Sequence, residues 1–247
     1  MNPVVSIICA CNNQKIFKEM LAKSLEKQSF KSFEIIIIDA KEKGFKSASQ
    51  TLNYGASLAK GALLIFVHQD IEFSDADSLE KLVYYGNNCN FGMIGVAGTI
   101  GDKSFAVSST VSMGKERIIA GILNTSVTNV YSLDECLLMC KKEKFKGFDD
   151  YGTTWHFYGV EYSQRCIENN ENVLIVPVNI YHDSYANSLD KTYFDTLKLY
   201  CKKHKNQKLI RTCCGYFKNN SLLPLYCAYR KFKLFIKRLI KNRKHSM

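Results

Sequence analysis

The chain is poorest in acid where it is richest in base. From residue 196 to residue 247 there are 15 Lys and Arg and no Asp or Glu. That leaves 19 of the 34 basic residues to face all 23 acidic ones before residue 196. The net charge of +11 is therefore a mildly acidic body with a strongly basic end, and the two parts are expected to meet different partners. Long apolar runs are also missing. No run reaches the roughly 18 apolar residues of a spanning helix, and no basic segment precedes a hydrophobic one near Met1, so neither a membrane span nor a signal peptide is expected. The ten cysteines lack the paired spacing of a zinc site: Cys9/Cys11, Cys136/Cys140 and adjacent Cys213-Cys214 fit no such pattern. They read as free thiols in a reducing cytoplasm. Repeats and low-complexity linkers are absent too. What is present, 46% apolar residues in 247, suffices for one sizeable core.

The apolar residues are arranged as alternating strands and helices. Val4–Ala10, Phe33–Ile38 and Ala62–Val67 are short β-branched or aromatic runs, each ending in polar residues. Phe17, Met20, Leu21 and Leu25 recur at helical spacing between the first two, and a helix over Ser47–Leu58 lies between the second and third. Strand, helix, strand, helix, strand predicts an α/β fold with a parallel sheet covered on both faces. Ligands of such sheets bind beyond the carboxyl ends of the strands. Asn12, Asn13, Asp39, His68 and Asp70 all fall there. Ser74 is expected to cap a helix reaching about Tyr85. Met93–Thr99, Phe105–Val111 and Val173–Val178 read as further strands.

The third strand runs directly into His68-Gln69-Asp70. Residues at i and i+2 of an extended segment face the same side, so His68 and Asp70 can address one ligand. A diphosphate with its divalent cation suits that pair: the cation stabilises the negative charge of a departing phosphate, and a carboxylate holds the cation. Asp70 has a plainer role open to it, as a residue favoured in turns.

Four blocks in order carry a family resemblance: "VVSIICACNN", "FEIIIIDA", "TLNYGASLAKGALLIFVHQDIEF" and "GFDDYGTTWHFYGVEYSQRC", followed by "VLIVPVNIYHDS". Over roughly residues 3–185 the chain resembles glycosyltransferase family 2, in the bacterial branch with His-Gln-Asp in place of Asp-x-Asp. The resemblance implies a GT-A, Rossmann-like, mostly parallel mixed sheet flanked by helices in residues 1–190, with residues 191–247 as a basic helical appendage. It implies an inverting transfer from a nucleotide-sugar donor, with a UDP-sugar favoured, to a glycan or lipid-linked acceptor in surface polysaccharide synthesis. Asp70 would then be a metal ligand together with His182, and a neutral imidazole in the set suits Mn²⁺ better than Mg²⁺. Ala10, Asn12, Asp39, Lys46, Asn53 and His68 would line the nucleotide sugar, and Trp155, His156 and Tyr158 the acceptor. The base that takes the acceptor's proton is expected to be Glu161, with Asp150 second. Gly159 stands where relatives often carry an acid. A nucleotidyltransferase is disfavoured because "CACNNQK" lacks a Gly-rich, Arg-containing triphosphate loop. The alternative is a non-catalytic, membrane-associated binding protein that keeps the fold.

The basic end has its own pattern. With Leu225–Lys241 as a helix, Leu225, Tyr229, Phe232, Phe235, Ile236, Leu239 and Ile240 share one arc. Arg230, Lys231, Lys233, Lys237, Arg238 and Lys241 share the opposite arc, and Leu234 is the misfit. Such a helix suits an anionic membrane surface, which would place the protein on the cytoplasmic face of the cell membrane. The alternative is a helix docked on the body. Nucleic acid is not an expected partner, because phosphate contacts need no apolar stripe.

Overall fold

The computed structural model describes residues 3–102, 104–184 and 189–244, with side chains described as far as residue 236. Strands Val5–Ala10 (β1), Phe33–Ile38 (β2) and Leu63–Val67 (β3) form where β-branched and aromatic residues dominate. β1 lies between the other two and parallel to both, with Cys9 level with Ile37 on one side and Val67 on the other. This register makes the three strands end together, so the residues that follow them emerge along one edge.

Met93–Gly95 (β4), Thr128–Asn129 (β5), Leu137–Lys141 (β6) and Val173–Ile175 (β7) complete a seven-stranded sheet in the order β5-β7-β4-β6-β3-β1-β2. β6 runs antiparallel to β3 and β4, and β5 antiparallel to β7, so the sheet is mixed. Both faces are buried over the central strands, as the unbroken apolar runs require, whereas the edge strand β2 leaves Ile35 and Ile37 exposed. Ile7, Ile65, Val67, Leu137 and Met139 pack on one face under Phe17, Leu21 and Leu25 of the helical run 14–26. Ile8, Leu64, Phe66 and Leu138 pack on the other, against helices Ala48–Leu58 (α1) and Tyr158–Glu168 (α2). α1 comes so close to β1 that a Cβ on Gly55 would lie 2.5 Å from Ile8 Cγ2. The Asn-x-Gly spacing is thus partly a packing requirement.

Two expected elements divide. Met93–Thr99 becomes β4 and a separate strand Ala97–Thr99 in a small sheet, and Phe105–Val111 becomes Val107–Ser109 and Val111–Met113. The expected helix at Ser74 starts instead at Ser78 and reaches Asn88, because Ile71–Phe73 extends as a strand beyond His68-Gln69-Asp70.

A third core begins where the basic end begins. Helix Lys191–Lys203 (α3), hairpin Leu209–Thr212/Gly215–Lys218 and helix Leu223–Lys244 (α4) bury Tyr193, Phe194, Leu197, Tyr200, Ile210, Phe217 and Cys227 together with Phe157 and Val160 of the body. α4 sits on α3 through Leu223, Cys227 and Leu234, with Lys231 paired to Asp195 at 2.9 Å and Arg230 over the Phe194 ring. Leu234, the misfit of the predicted stripe, is the residue that faces inward. The stripe itself faces out: Leu225 is 70% and Phe232 61% exposed, with Tyr229, Phe235 and Ile236 beside them. Lys237, Arg238, Leu239, Ile240 and Lys241, which complete the two arcs, have side chains outside the described residues. Among the described residues no helix is long and apolar enough to cross a membrane.

Candidate functional site

His68 and Asp70 leave β3 on the same side, and a second pairing delivers His182. Ile71–Phe73 pairs antiparallel with Ile180–His182, placing His182 opposite Ile71, and the Asp183 N–H donates to the Asp70 carbonyl at 2.9 Å. His182 Nε2 consequently lies 3.4 Å from both Asp70 Oδ1 and His68 Nδ1. The three ligand atoms fall within 4.8 Å of one another. Among the described residues this is the one group of three or more such side chains placed to share a cation. Two imidazoles and a carboxylate form a donor set that fits Mn²⁺ or another borderline cation better than Mg²⁺. His68, expected as a nucleotide contact, here stands with the two expected metal ligands.

The electrostatics agree with that donor set. Burial, with His182 beside it, lowers the His68 pKa to about 4 and keeps the ring neutral, as a ligand must be. Burial alone would raise the Asp70 pKa, but the hydrogen bond and charge of His182 outweigh it and hold the carboxylate ionised. Burial likewise disfavours charge on His182, and Asp70 outweighs it in turn. His68 is oriented from the other side by Tyr158, whose hydroxyl lies 3.3 Å from Nε2 and donates to the Glu135 carbonyl at 3.1 Å.

Gln69, between the two ligands, drew no role from the sequence. Its Oε1 accepts the Asn12 and Asn13 N–H groups at 3.1 and 2.9 Å, and its Nε2 donates to Asn12 Oδ1 at 2.6 Å. It ties the loop after β1 to the loop after β3. An amide flanked by two site residues was the available signal.

The other expected donor-site residues lie at or near this edge in varied roles. Ala10 ends β1. Asp39 follows β2, where its Oδ1 accepts the Lys41 and Glu42 N–H groups and closes a turn. Lys46 is exposed just before α1, its N–H on Gln50 Oε1. Asn53 holds the Phe148 backbone at both ends, Nδ2 donating to the carbonyl at 2.9 Å and Oδ1 accepting the N–H at 2.8 Å. Asn53→Ala strands both backbone groups and is expected to cost about 2 kcal/mol in urea denaturation. A loss below about 0.5 kcal/mol would show that water replaces the amide at no cost.

On the acceptor side, Trp155 is 45% exposed in the loop before α2. His156 stacks edge-on to Tyr193 and lies 3.6 Å from Asp190. Tyr158 is buried, and only its hydroxyl reaches the cluster. The two expected bases lie elsewhere. Glu161 is 2% exposed with its Oε2 3.2 Å from Arg165, and its charged neighbours are Arg165, Asp149 and Lys203 rather than the histidines. Burial raises its pKa to about 7 despite Arg165. Asp150 is exposed and accepts hydrogen bonds from Gln50 Nε2 at 2.7 Å and the Gly152 N–H at 3.0 Å.

Comparison with known proteins bears on the family and the fold. A family model described as glycosyltransferase-like matches residues 6–207. No curated protein sequence matches the chain. In fold the chain is similar to S. aureus TarS 1-349 in complex with UDP-GlcNAc, with a TM-score of 0.54, 12% identity and coverage of 82% of this chain. It is similar to the uncomplexed S. aureus TarS 1-349 at the same TM-score, with 14% identity and 82% coverage. The chain spans 66% and 65% of those two structures, just under two thirds of their length. The sheet is the mixed, helix-covered sheet of GT-A enzymes, and with a match over residues 6–207 the chain belongs to the glycosyltransferase-like family.

Proposed function

We propose that this glycosyltransferase moves a sugar, with inversion, from a nucleotide donor to a glycan or lipid-linked acceptor of a surface polysaccharide. The observation that carries this reading is the convergence of His68, Asp70 and His182 where the parallel strands end. His68, Asp70 and His182 would hold a divalent cation, which when bound stabilises the charge that develops on the departing diphosphate. Gln69 and Tyr158 hold the two ends of the ligand set in place, so the donor meets a prearranged site. The donor base is taken as uracil because a solved structure of similar fold contains UDP-GlcNAc.

Thermal shift with UDP, GDP and CDP, each with and without Mn²⁺, tests this. A rise with UDP that requires Mn²⁺ is the expected result. No rise with any nucleotide would favour a binding protein that keeps the fold without the chemistry.

The exposed stripe of α4 supports a second element of the proposal, attachment to an anionic membrane. Leu225, Tyr229, Phe232, Phe235 and Ile236 face away from the body, and Lys233 lies on the same helix among further basic residues. Because α4 is docked, removing the segment would disturb the body as well. Phe232→Glu with Phe235→Glu changes only exposed positions. This variant is expected to lose at least about fivefold in sedimentation with phosphatidylserine vesicles, in line with burial of two aromatic rings. Unchanged sedimentation would refute the membrane assignment.

A further inference from the structure

Position 159 begins the helix that faces the cluster, and it carries no side chain. A Cβ built on Gly159 would lie 2.9 Å from Glu135 Cγ, 3.3 Å from Leu138 Cδ1 and 3.4 Å from the Leu133 carbonyl. Glu135 fills that space. The segment bearing it runs beside His68-Gln69-Asp70, with the His68 N–H donating to the Cys136 carbonyl at 3.1 Å. The Glu135 Oε1 accepts the Gly159 N–H at 3.1 Å, and its carbonyl accepts from the Tyr158 hydroxyl that touches His68. Phe157 holds φ at +74°, a costly conformation for a bulky residue, and this turns the chain into α2 with its first amides toward the carboxylate.

We propose, on the basis of the glycosyltransfer reading above, that Glu135 is the catalytic base, its carboxylate entering from the segment just before β6 the space that a side chain at position 159 would occupy. The step balances in atoms and electrons. The acceptor oxygen forms the bond to the anomeric carbon and gives its proton to Glu135. The bond from that carbon to the diphosphate oxygen breaks, and its electron pair leaves with the nucleotide. Glu161 cannot share this task. Two residues further along a helix it points about 200° away from position 159, toward Arg165. Glu135 is only partly buried and faces Asp134 of its own segment, Tyr158 of α2, Tyr193 of α3 and Cys213 and Cys214 of the hairpin turn. Loss of water around the carboxylate itself, beneath α2, raises its pKa to about 8 against the pull of the Gly159 amide, and the Asp134 charge adds to the rise. A base is active when deprotonated, so the rate should climb with pH through that value and level above it.

The test uses the full chain with Mn²⁺ and follows UDP release from UDP-GlcNAc, UDP-glucose and UDP-galactose with water as acceptor. Glu135→Gln keeps the shape and an oxygen for the Gly159 N–H. It is expected to lower kcat about a hundredfold or more, flatten the rise with pH and leave the UDP thermal shift intact. Glu135→Gly combined with Gly159→Asp returns a carboxylate from the helix side and is expected to recover at least a tenth of the wild-type rate. A Glu135→Gln rate within threefold of wild type overturns the assignment, as does a collapse of rate in Asp134→Asn but not in Glu135→Gln. If wild-type protein shows no UDP shift at all, the donor reading falls and this assignment falls with it.

Discussion

Asp70→Ala is expected to abolish the Mn²⁺-dependent rise in melting temperature with UDP and to cut donor turnover a hundredfold or more. The carboxylate is the one anion in the donor set, since His68 is neutral and His182 contributes an imidazole. Removing it leaves two neutral nitrogens to hold a dication beside a diphosphate, with no anionic donor to offset its charge. Asp70→Asn separates charge from shape: it should keep the fold and still lose most of the metal response. Calorimetric titration of Mn²⁺ into each variant provides the direct measurement. Survival of the metal-dependent shift in Asp70→Ala would mean that the cation is held elsewhere.

The largest expected loss of stability lies at the other end of the chain. Phe194→Ala should destabilise the protein by about 3–5 kcal/mol in urea denaturation, the usual range for a buried ring replaced by a cavity. Phe194 is fully buried, edge-on to Tyr193, under the Arg230 guanidinium and within the core that includes Phe157 and Val160. Leu199→Ala on the exposed face of the same helix serves as the control and should cost less than about 0.5 kcal/mol. The same core gives an expected result for truncation: residues 1–190 alone should melt well below the full chain, because Phe157 and Val160 lose their cover. Equal melting temperatures would show that the basic segment is an independent appendage. The strained turn at Phe157 leads into the helix that meets Glu135, so loss of that cover should also lower activity at temperatures where the fold survives.

The edge that carries the candidate site is legible because its signals are local. β-branched runs ending in polar residues mark buried strands and their tips, and parallel strands level in register deliver those tips to one edge. His68 and Asp70 were expected on one side of an extended segment, but Gln69-Asp70 forms a turn, and both side chains meet beside His182. His182 was reached by resemblance alone, since 114 residues separate it from His68. Nearness in sequence to the "WHFY" block is all that points to Glu161 and Asp150 as bases, and helix geometry turns the first onto Arg165 while a turn engages the second.

The sequence by itself determined the strand and helix periods, the α/β class and the charge divide at residue 196. Only the tertiary structure decided that Ile71–Phe73 pairs with Ile180–His182, that Glu135 fills the space above Gly159, and that Leu234 rather than the aromatic stripe of α4 faces the body. The reason is physical. Residue type and period set the preference of a short segment. Which distant segment satisfies its exposed hydrogen bonds, its missing side-chain volume or its apolar face depends on contacts that no local window contains.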